Sequence, residues 1–208
     1  LGPAEAGYAF NLNERHEESI AGEVFRRNTG IQPSQEAVVH PYIAKIIKAN
    51  SREPYRILPG ALGSTLRGAG FKTAVLGNSD TPGTPGRFAS TIAMDEKGLI
   101  DFGDVGSGTL VKGSDIPGGW KTDTDKLLSE YHDIKGKADF VVIDLGDMAR
   151  LERYSTYVGE EVFARYRAKA LKDADSFLGN LLPLLDFKST LLLVVSPTPA
   201  LAESRSTA

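Results

Sequence analysis

Three short, largely apolar runs alternate with helical patterns along this chain, and each run stops at small polar residues. The runs occupy residues 72–76, 140–143 and 190–195. Runs of this kind are typical of strands that are buried on both faces, and helices usually join such strands in parallel. The alternation therefore predicts an α/β fold in three layers, with a mostly parallel sheet and helices on both of its faces.

Helical patterns precede the first run and lie between the later ones. Apolar residues recur at helical spacing in residues 14–28, 41–49, 61–67, 124–134 and 160–185. Thr124 or Asp123 can cap the fourth of these helices, and a glycine follows the first. The last helix is the longest, and its single apolar stripe indicates that only one of its faces packs against the sheet.

Residues 81–120 interrupt this alternation. The segments TIAMD and GLIDFG, separated by turn residues, predict a β-hairpin, and the glycine-rich residues 103–119 predict a loop. We interpret residues 81–120 as an insertion into a single α/β domain that spans residues 1–208. The chain opens at Leu1 rather than at Met, so we expect it to be a piece of a longer protein.

Composition excludes several classes of function. The 24 basic and 27 acidic residues give a net charge of −3 without a long run of either sign, which argues against a nucleic-acid partner. Cysteine is absent, so disulfides and thiolate metal ligands are excluded. No apolar stretch approaches the length of a membrane span.

The ends of the three predicted strands hold the candidate site residues, because ligands of open parallel sheets bind beyond the carboxyl ends of the strands. These residues are Asn78 and Asp80 after the first strand, Asp144 and Asp147 after the second, and Ser196 and Thr198 after the third. Two carboxylates on one turn can hold a divalent cation, so Asp144 and Asp147 are candidate metal ligands. The others are candidates for a substrate pocket. The alternatives are a helix cap and a solvated carboxylate for the aspartate pair, and a polar turn for Asn78 and Asp80.

The sequence does not support a histidine-based site, a glycine-rich phosphate loop or a serine nucleophile. The three histidines, His16, His40 and His132, each lie on or beside a predicted helix, away from the strand ends. The glycines of residues 103–108 fit neither the dinucleotide fingerprint nor the P-loop. No G-x-S-x-G motif presents a serine nucleophile.

Two segments resemble the alkaline-phosphatase-like superfamily. TLRGAGFKTAVLGNSD resembles the sulfatase segment that leads into an active-site Gly-Lys-Trp-His, with Asn78 in the place of the Lys and Asp80 in the place of the His. ADFVVIDLGDMARLERY resembles the Asp-Met-x-Gly-His segment of cofactor-independent phosphoglycerate mutases. Asp147 matches its Asp, while Arg150 stands near the position of its metal-binding His. In LLLVVSPTP, Pro197 and Thr198 stand where the superfamily has Asp-His.

The resemblance implies a metal-dependent phosphoesterase-like or sulfatase-like hydrolase domain that acts on a small anionic ester with the help of Zn, Mn or Mg. A nucleophile and the final His ligands would lie outside residues 1–208, so this chain would be catalytically incomplete. The alternative is a non-catalytic binding or scaffold domain that keeps the same fold. The lack of cysteine and the resemblance slightly favour an extracytoplasmic location.

Overall fold

The chain is described here by a computed structural model over residues 4–51, 57–113 and 116–196. The strands of this part are β1 (Phe10–Asn11), β2 (Arg15–His16), β3 (Ser19–Ile20), β4 (Val38–Val39), β5 (Thr73–Asn78), β6 (Leu99–Ile100), β7 (Phe102–Asp104), β8 (Leu110–Lys112), β9 (Trp120–Thr122) and β10 (Phe140–Leu145). The helices are α1 (Ala21–Thr29), α2 (Ile43–Asn50), α3 (Ala61–Gly68), α4 (Ser90–Ala93), α5 (Thr124–Ile134), α6 (Asp147–Arg153) and α7 (Glu160–Leu181). Short 3₁₀ turns cover Ala4–Gly7, Ser107–Thr109 and Leu182–Leu184.

A parallel sheet of three strands, in the order β10, β5, β7, forms the centre of the fold. The register aligns Phe140 with Thr73 and Leu145 with Asn78, so β5 and β10 end side by side. The predictions of strands over residues 72–76 and 140–143, and of a mixed α/β fold with parallel pairing, are confirmed.

The two faces of this sheet pack into different apolar clusters. Alternate residues of β10, including Val141 and Ile143, join a cluster with Leu127 of α5 and Phe177 of α7. The residues between them, such as Val142, pack against a second cluster that includes residues of α2 and α4. Because side chains of a strand alternate between faces, the continuous apolar run of β10 reflects burial from both sides.

The predicted hairpin of TIAMD with GLIDFG does not form. Residues 90–93 make the short helix α4, and this turn directs Ala93 and Met94 into the core. β6 pairs instead with β4, in an antiparallel sheet of the order β1, β4, β6. β7 runs parallel to β5, so residues 81–120 contribute a strand to the central sheet. The hairpin that does form in this part of the chain joins β8 to β9.

Two further predictions need correction. The first predicted helix begins at Ala21 rather than at residue 14, because residues 15–20 form the β2–β3 hairpin. The prediction of a buried strand over residues 190–195 is wrong. These residues carry no strand pairing in the described part of the chain, and most of them are exposed. Their apolar composition favours a strand, but a strand also needs a hydrogen-bonded neighbour.

Helices α3, α5 and α7 lie close to their predicted positions, with α5 matching residues 124–134 and α7 ending four residues early. The Asp123 side chain caps α5 by accepting a hydrogen bond from the Lys126 backbone N–H. In the described residues, none of the helices combines the length and the apolar character needed to cross a membrane.

Candidate functional site

The carboxyl ends of β5 and β10 approach each other very closely. Gly77 of β5 has φ +81°, and a Cβ at this position would lie 2.4 Å from the backbone oxygen of Asp144. Glycine is therefore required both for its left-handed backbone and for the close contact. This contact brings the predicted residues after β5 next to those of β10.

Asn78 is completely buried at the end of β5. Its side-chain nitrogen donates hydrogen bonds to the Val105 oxygen, the Gly106 oxygen and Thr109 Oγ1, at 3.1, 3.0 and 2.9 Å. Its side-chain oxygen accepts the Asp80 backbone N–H at 3.0 Å. The Asn78 amide thus connects the end of β5 to the loop that follows β7. Asn78 was predicted to line a substrate pocket.

The Asp80 carboxylate is held by a buried arginine. Arg87, whose side chain is 4 % exposed, donates to both Asp80 oxygens at 2.8–3.2 Å. The same guanidinium donates to both Glu14 oxygens at 2.6 and 2.7 Å and to the Ala9 backbone oxygen at 2.8 Å. Asp80 also accepts the Gly86 backbone N–H. Two carboxylates compensate one buried cation, so Asp80 belongs to a charge-paired network.

Asp147 forms a second network of the same kind at the start of α6. Its Oδ1 accepts the Thr122 backbone N–H and an Arg150 Nη2 proton, both at 2.9 Å. Arg150 is 3 % exposed and also donates to Thr122 Oγ1 at 2.5 Å and to the Asn78 backbone oxygen at 2.8 Å. Arg150 therefore ties α6 to β9 and to the end of β5.

Asp144 is the strand-end carboxylate without such an arginine bond. Within the described residues its carboxylate accepts no hydrogen bond. Part of the residue remains accessible, yet the loss of surrounding water raises the pKa of Asp144 to about 6. Arg150 opposes this rise, while the negative charges of Asp80 and Asp147 add to it. The three carboxylates therefore lie near enough to influence one another.

The geometry does not assemble these carboxylates into a metal site. No group of three or more His, Asp or Glu side chains in the described ranges is placed to share one ion. Asp80 and Asp147 direct oxygens to arginines, and the residues present therefore fit a bound divalent metal poorly. Ser196 is exposed at the end of the described chain, and Thr198 lies outside the described residues.

A groove opens beside Asp147 and Arg150, between the β8–β9 hairpin and helices α6 and α7. Trp120 and Tyr166 give it an aromatic, largely apolar lining. Lys121 and Asp173 also line it and form an ion pair at 2.7 Å. A concave apolar surface with a few fixed charges is the usual form of a small-molecule site.

Sequence reasoning missed the two arginines and a buried histidine. Arg150 could have been found, because it stands three residues after Asp147 on the same helix face. Arg87 had no such signal, since Glu14 is 73 residues away along the chain. His40, which was predicted to lie on or beside a helix, is fully buried, and its Nε2 lies 2.8 Å from the hydroxyl of Ser90, 50 residues away.

Comparison with known proteins adds no relative. No protein-family model, curated protein sequence or solved structure matches this chain. The functional argument therefore depends on the residues and contacts described above.

Proposed function

We propose that this chain is a non-catalytic binding domain built on a three-layer, alkaline-phosphatase-like α/β fold. The observation that carries this proposal is the pairing of two strand-end carboxylates with buried arginines, Asp80 with Arg87 and Asp147 with Arg150. In the phosphoglycerate mutases that the sequence resembles, the position of Asp147 serves a metal ion, and in the sulfatases the position of Asp80 is an active-site His. Here guanidinium groups supply the positive charge instead.

The energetics of burial support this interpretation. A buried carboxylate requires a counter-charge and hydrogen-bond donors, and either a cation or an arginine can provide them. A bidentate or networked guanidinium donates hydrogen bonds to the carboxylate oxygens and fixes their direction. Releasing Asp147 to a metal would leave the buried Arg150 without its acidic partner. Removing one partner of a buried pair costs about 3–5 kcal/mol.

The groove beside Arg150 is the proposed binding surface. Trp120 and Tyr166 offer apolar and aromatic contact. The charged lining consists of three cations, Lys121, Arg150 and Lys169, and two carboxylates, Asp147 and Asp173. This combination suits a small organic ligand with an apolar body and an anionic group, the ligand class that the resemblance implies. Binding of such a ligand would need no metal.

Calorimetric titration with phenyl phosphate in the presence of EDTA tests this proposal. We expect binding that persists in EDTA and weakens about tenfold in Trp120→Ala, because aromatic contacts dominate small apolar sites. Phe71→Ala is the matched control, since Phe71 is an exposed aromatic residue outside the groove. Equal loss in both variants, or no binding to the unaltered chain, would contradict the groove as the site.

The second candidate is the metal-dependent hydrolase. It is favoured by Asp144, a strand-end carboxylate whose pKa is raised by burial and by two neighbouring carboxylates. A divalent cation would relieve this repulsion. Micromolar Mn²⁺ or Zn²⁺ affinity that disappears in Asp147→Ala but not in Asp133→Ala, an exposed control, would support the hydrolase and reject the binding domain.

Activity assays complete the comparison of the two candidates. Under the binding-domain proposal, the chain should not hydrolyse p-nitrophenyl phosphate or p-nitrocatechol sulfate above background with Mg²⁺, Mn²⁺, Zn²⁺ or Ca²⁺. Such chemistry needs an activated nucleophile and stabilisation of the transition-state charge. Metal-dependent turnover that is lost in Asp147→Ala or Ser196→Ala would favour the hydrolase.

A further inference from the structure

Strand β10 is one of the two outer strands of the central sheet in the described part of the chain. Within the described residues β10 pairs with β5 alone, and with six residues it is the longer of the two outer strands, since β7 has three. All six residues Phe140–Leu145 are only partly buried, whereas all six residues of β5 are buried. An apolar edge with unpaired backbone groups is a template on which another strand can add.

An apolar segment with strand-like composition lies later in the same chain. Residues 191–195 read LLLVV, and four of them are highly exposed: Leu191 81 %, Leu193 71 %, Val194 69 % and Val195 74 %. No strand pairing involves residues 190–195 in the described structure. Consecutive exposed residues of this kind are unusual in a folded protein and indicate an interaction surface.

The two features match in length and direction. The segment 190–195 has six residues, as β10 does. It follows α7, and Leu185, just beyond α7, packs in the same apolar cluster as Ala138, which precedes β10. A chain that continues from this position can run in the direction of β10. A helix between two parallel strands is the usual connection in such sheets.

We propose that the 190–195 segment of one copy of this chain adds to the β10 edge of a second copy, and that the exchange is reciprocal. Among the described residues, one chain has both an outer strand, β10, and a strand-like segment without strand pairing, and the two do not pair with each other. In a reciprocal exchange, the β10 strand of each copy pairs with the 190–195 segment of the other copy. The two-fold symmetry of this arrangement limits the assembly to a dimer. This proposal is independent of the groove and of its ligand.

Sedimentation of the full chain over a range of concentrations tests the dimer. We expect a concentration-dependent monomer–dimer equilibrium, which Val194→Pro weakens at least about tenfold because proline cannot donate to a strand ladder. Val194 is exposed and outside any ladder in the described chain, so the monomer should remain folded by circular dichroism. Leu171→Lys, which removes an exposed apolar side chain from α7, is the control and should leave the equilibrium unchanged.

A chain that is monomeric at every soluble concentration would overturn the proposal. Equal weakening by Val194→Pro and Leu171→Lys would also overturn it, since general apolar association would then explain the dimer.

Cross-linking identifies which chain supplies the strand. The sequence contains no cysteine, so Val142→Cys and Leu192→Cys can be introduced without competing thiols. These positions are opposite each other if residue 190 aligns with residue 140. Mixing the two single variants should give a disulfide between chains under mild oxidation. A double variant that forms the disulfide only within one chain, or an oxidised mixture without any cross-link, would refute the exchange.

Discussion

The buried His40 should make the free energy of unfolding fall as the solution becomes acidic. Ser90 Oγ donates to the Arg87 backbone oxygen at 2.5 Å, so we infer that His40 Nε2–H donates to the serine oxygen. Nδ1 is then unprotonated, and it has no partner among the described residues. A proton added there would be a buried charge without an acceptor. Burial accordingly lowers the pKa of His40 from 6.5 to about 4.

The sign and size of the effect follow from this depressed pKa. The neutral imidazole stabilises the fold above pH 6.5, and this contribution is lost as the pH falls from 6.5 towards 4, where the folded protein must accept the proton. The difference in pKa between the unfolded and folded chain corresponds to about 3 kcal/mol, at about 1.4 kcal/mol for each pH unit. His40→Gln keeps a donor for Ser90 and removes the titration.

Urea unfolding of the wild type and of His40→Gln at pH 7, 5.5 and 4 measures this contribution. We expect the free energy of unfolding of the variant, relative to wild type, to rise by about 3 kcal/mol between pH 7 and pH 4. The same substitution at the exposed His132 is the control and should show little change. A wild-type–variant difference that is the same at pH 7 and pH 4 would refute the burial argument.

Three further substitutions test the strand-end site by urea or thermal unfolding. Asp144→Asn should stabilise the fold by about 2 kcal/mol at pH 7. This gain should shrink as the pH falls from about 6 and disappear below about pH 4, where the carboxyl is protonated in both the folded and the unfolded chain. Gly77→Ala should cost about 2–4 kcal/mol through its clash and its positive φ, whereas Gly179→Ala, in open space on α7, should stabilise by about 1 kcal/mol. Arg87→Met should cost about 3–5 kcal/mol because it leaves two carboxylates without their buried cation, and Arg87→Lys should restore only part of this. A stabilising Gly77→Ala or a neutral Arg87→Met would contradict the contacts described.

Elements with strong local signals could be predicted from the sequence. Helix α5 has a capping Asp123 before it and helical spacing within it, so its bounds agree with the prediction. Strands β5 and β10 could be predicted because each is a continuous apolar run, and helix α5 directly precedes β10. In these cases the residues that decide the structure are close together in the chain or share one periodicity.

Elements that depend on distant partners could not be predicted in this way. β7 has only three residues, and it forms a strand because its backbone pairs in parallel with β5. TIAMD has the composition of a strand, but most of it forms the short helix α4. In this helical turn Ala93 and Met94 are buried in the core. Residues 190–195 show the opposite case, in which strand-like composition occurs without a ladder. Apolar composition therefore predicts β-structure only where a neighbouring strand is also available.

The strand-end site shows how buried aspartates can obtain positive charge from side chains. An aspartate at the end of a buried strand needs positive charge, and its source can be an ion or a side chain. Asp147 obtains it from Arg150, one turn later on α6, and Asp80 from Arg87, seven residues later. Each arginine also binds backbone oxygens of neighbouring segments, so the pairing fixes the geometry of the strand ends as well as their charge. Asp144 has no arginine partner of this kind among the described residues, and burial raises its pKa. Its carboxyl is therefore the one most readily affected by a ligand that brings a proton or a cation to this edge of the sheet.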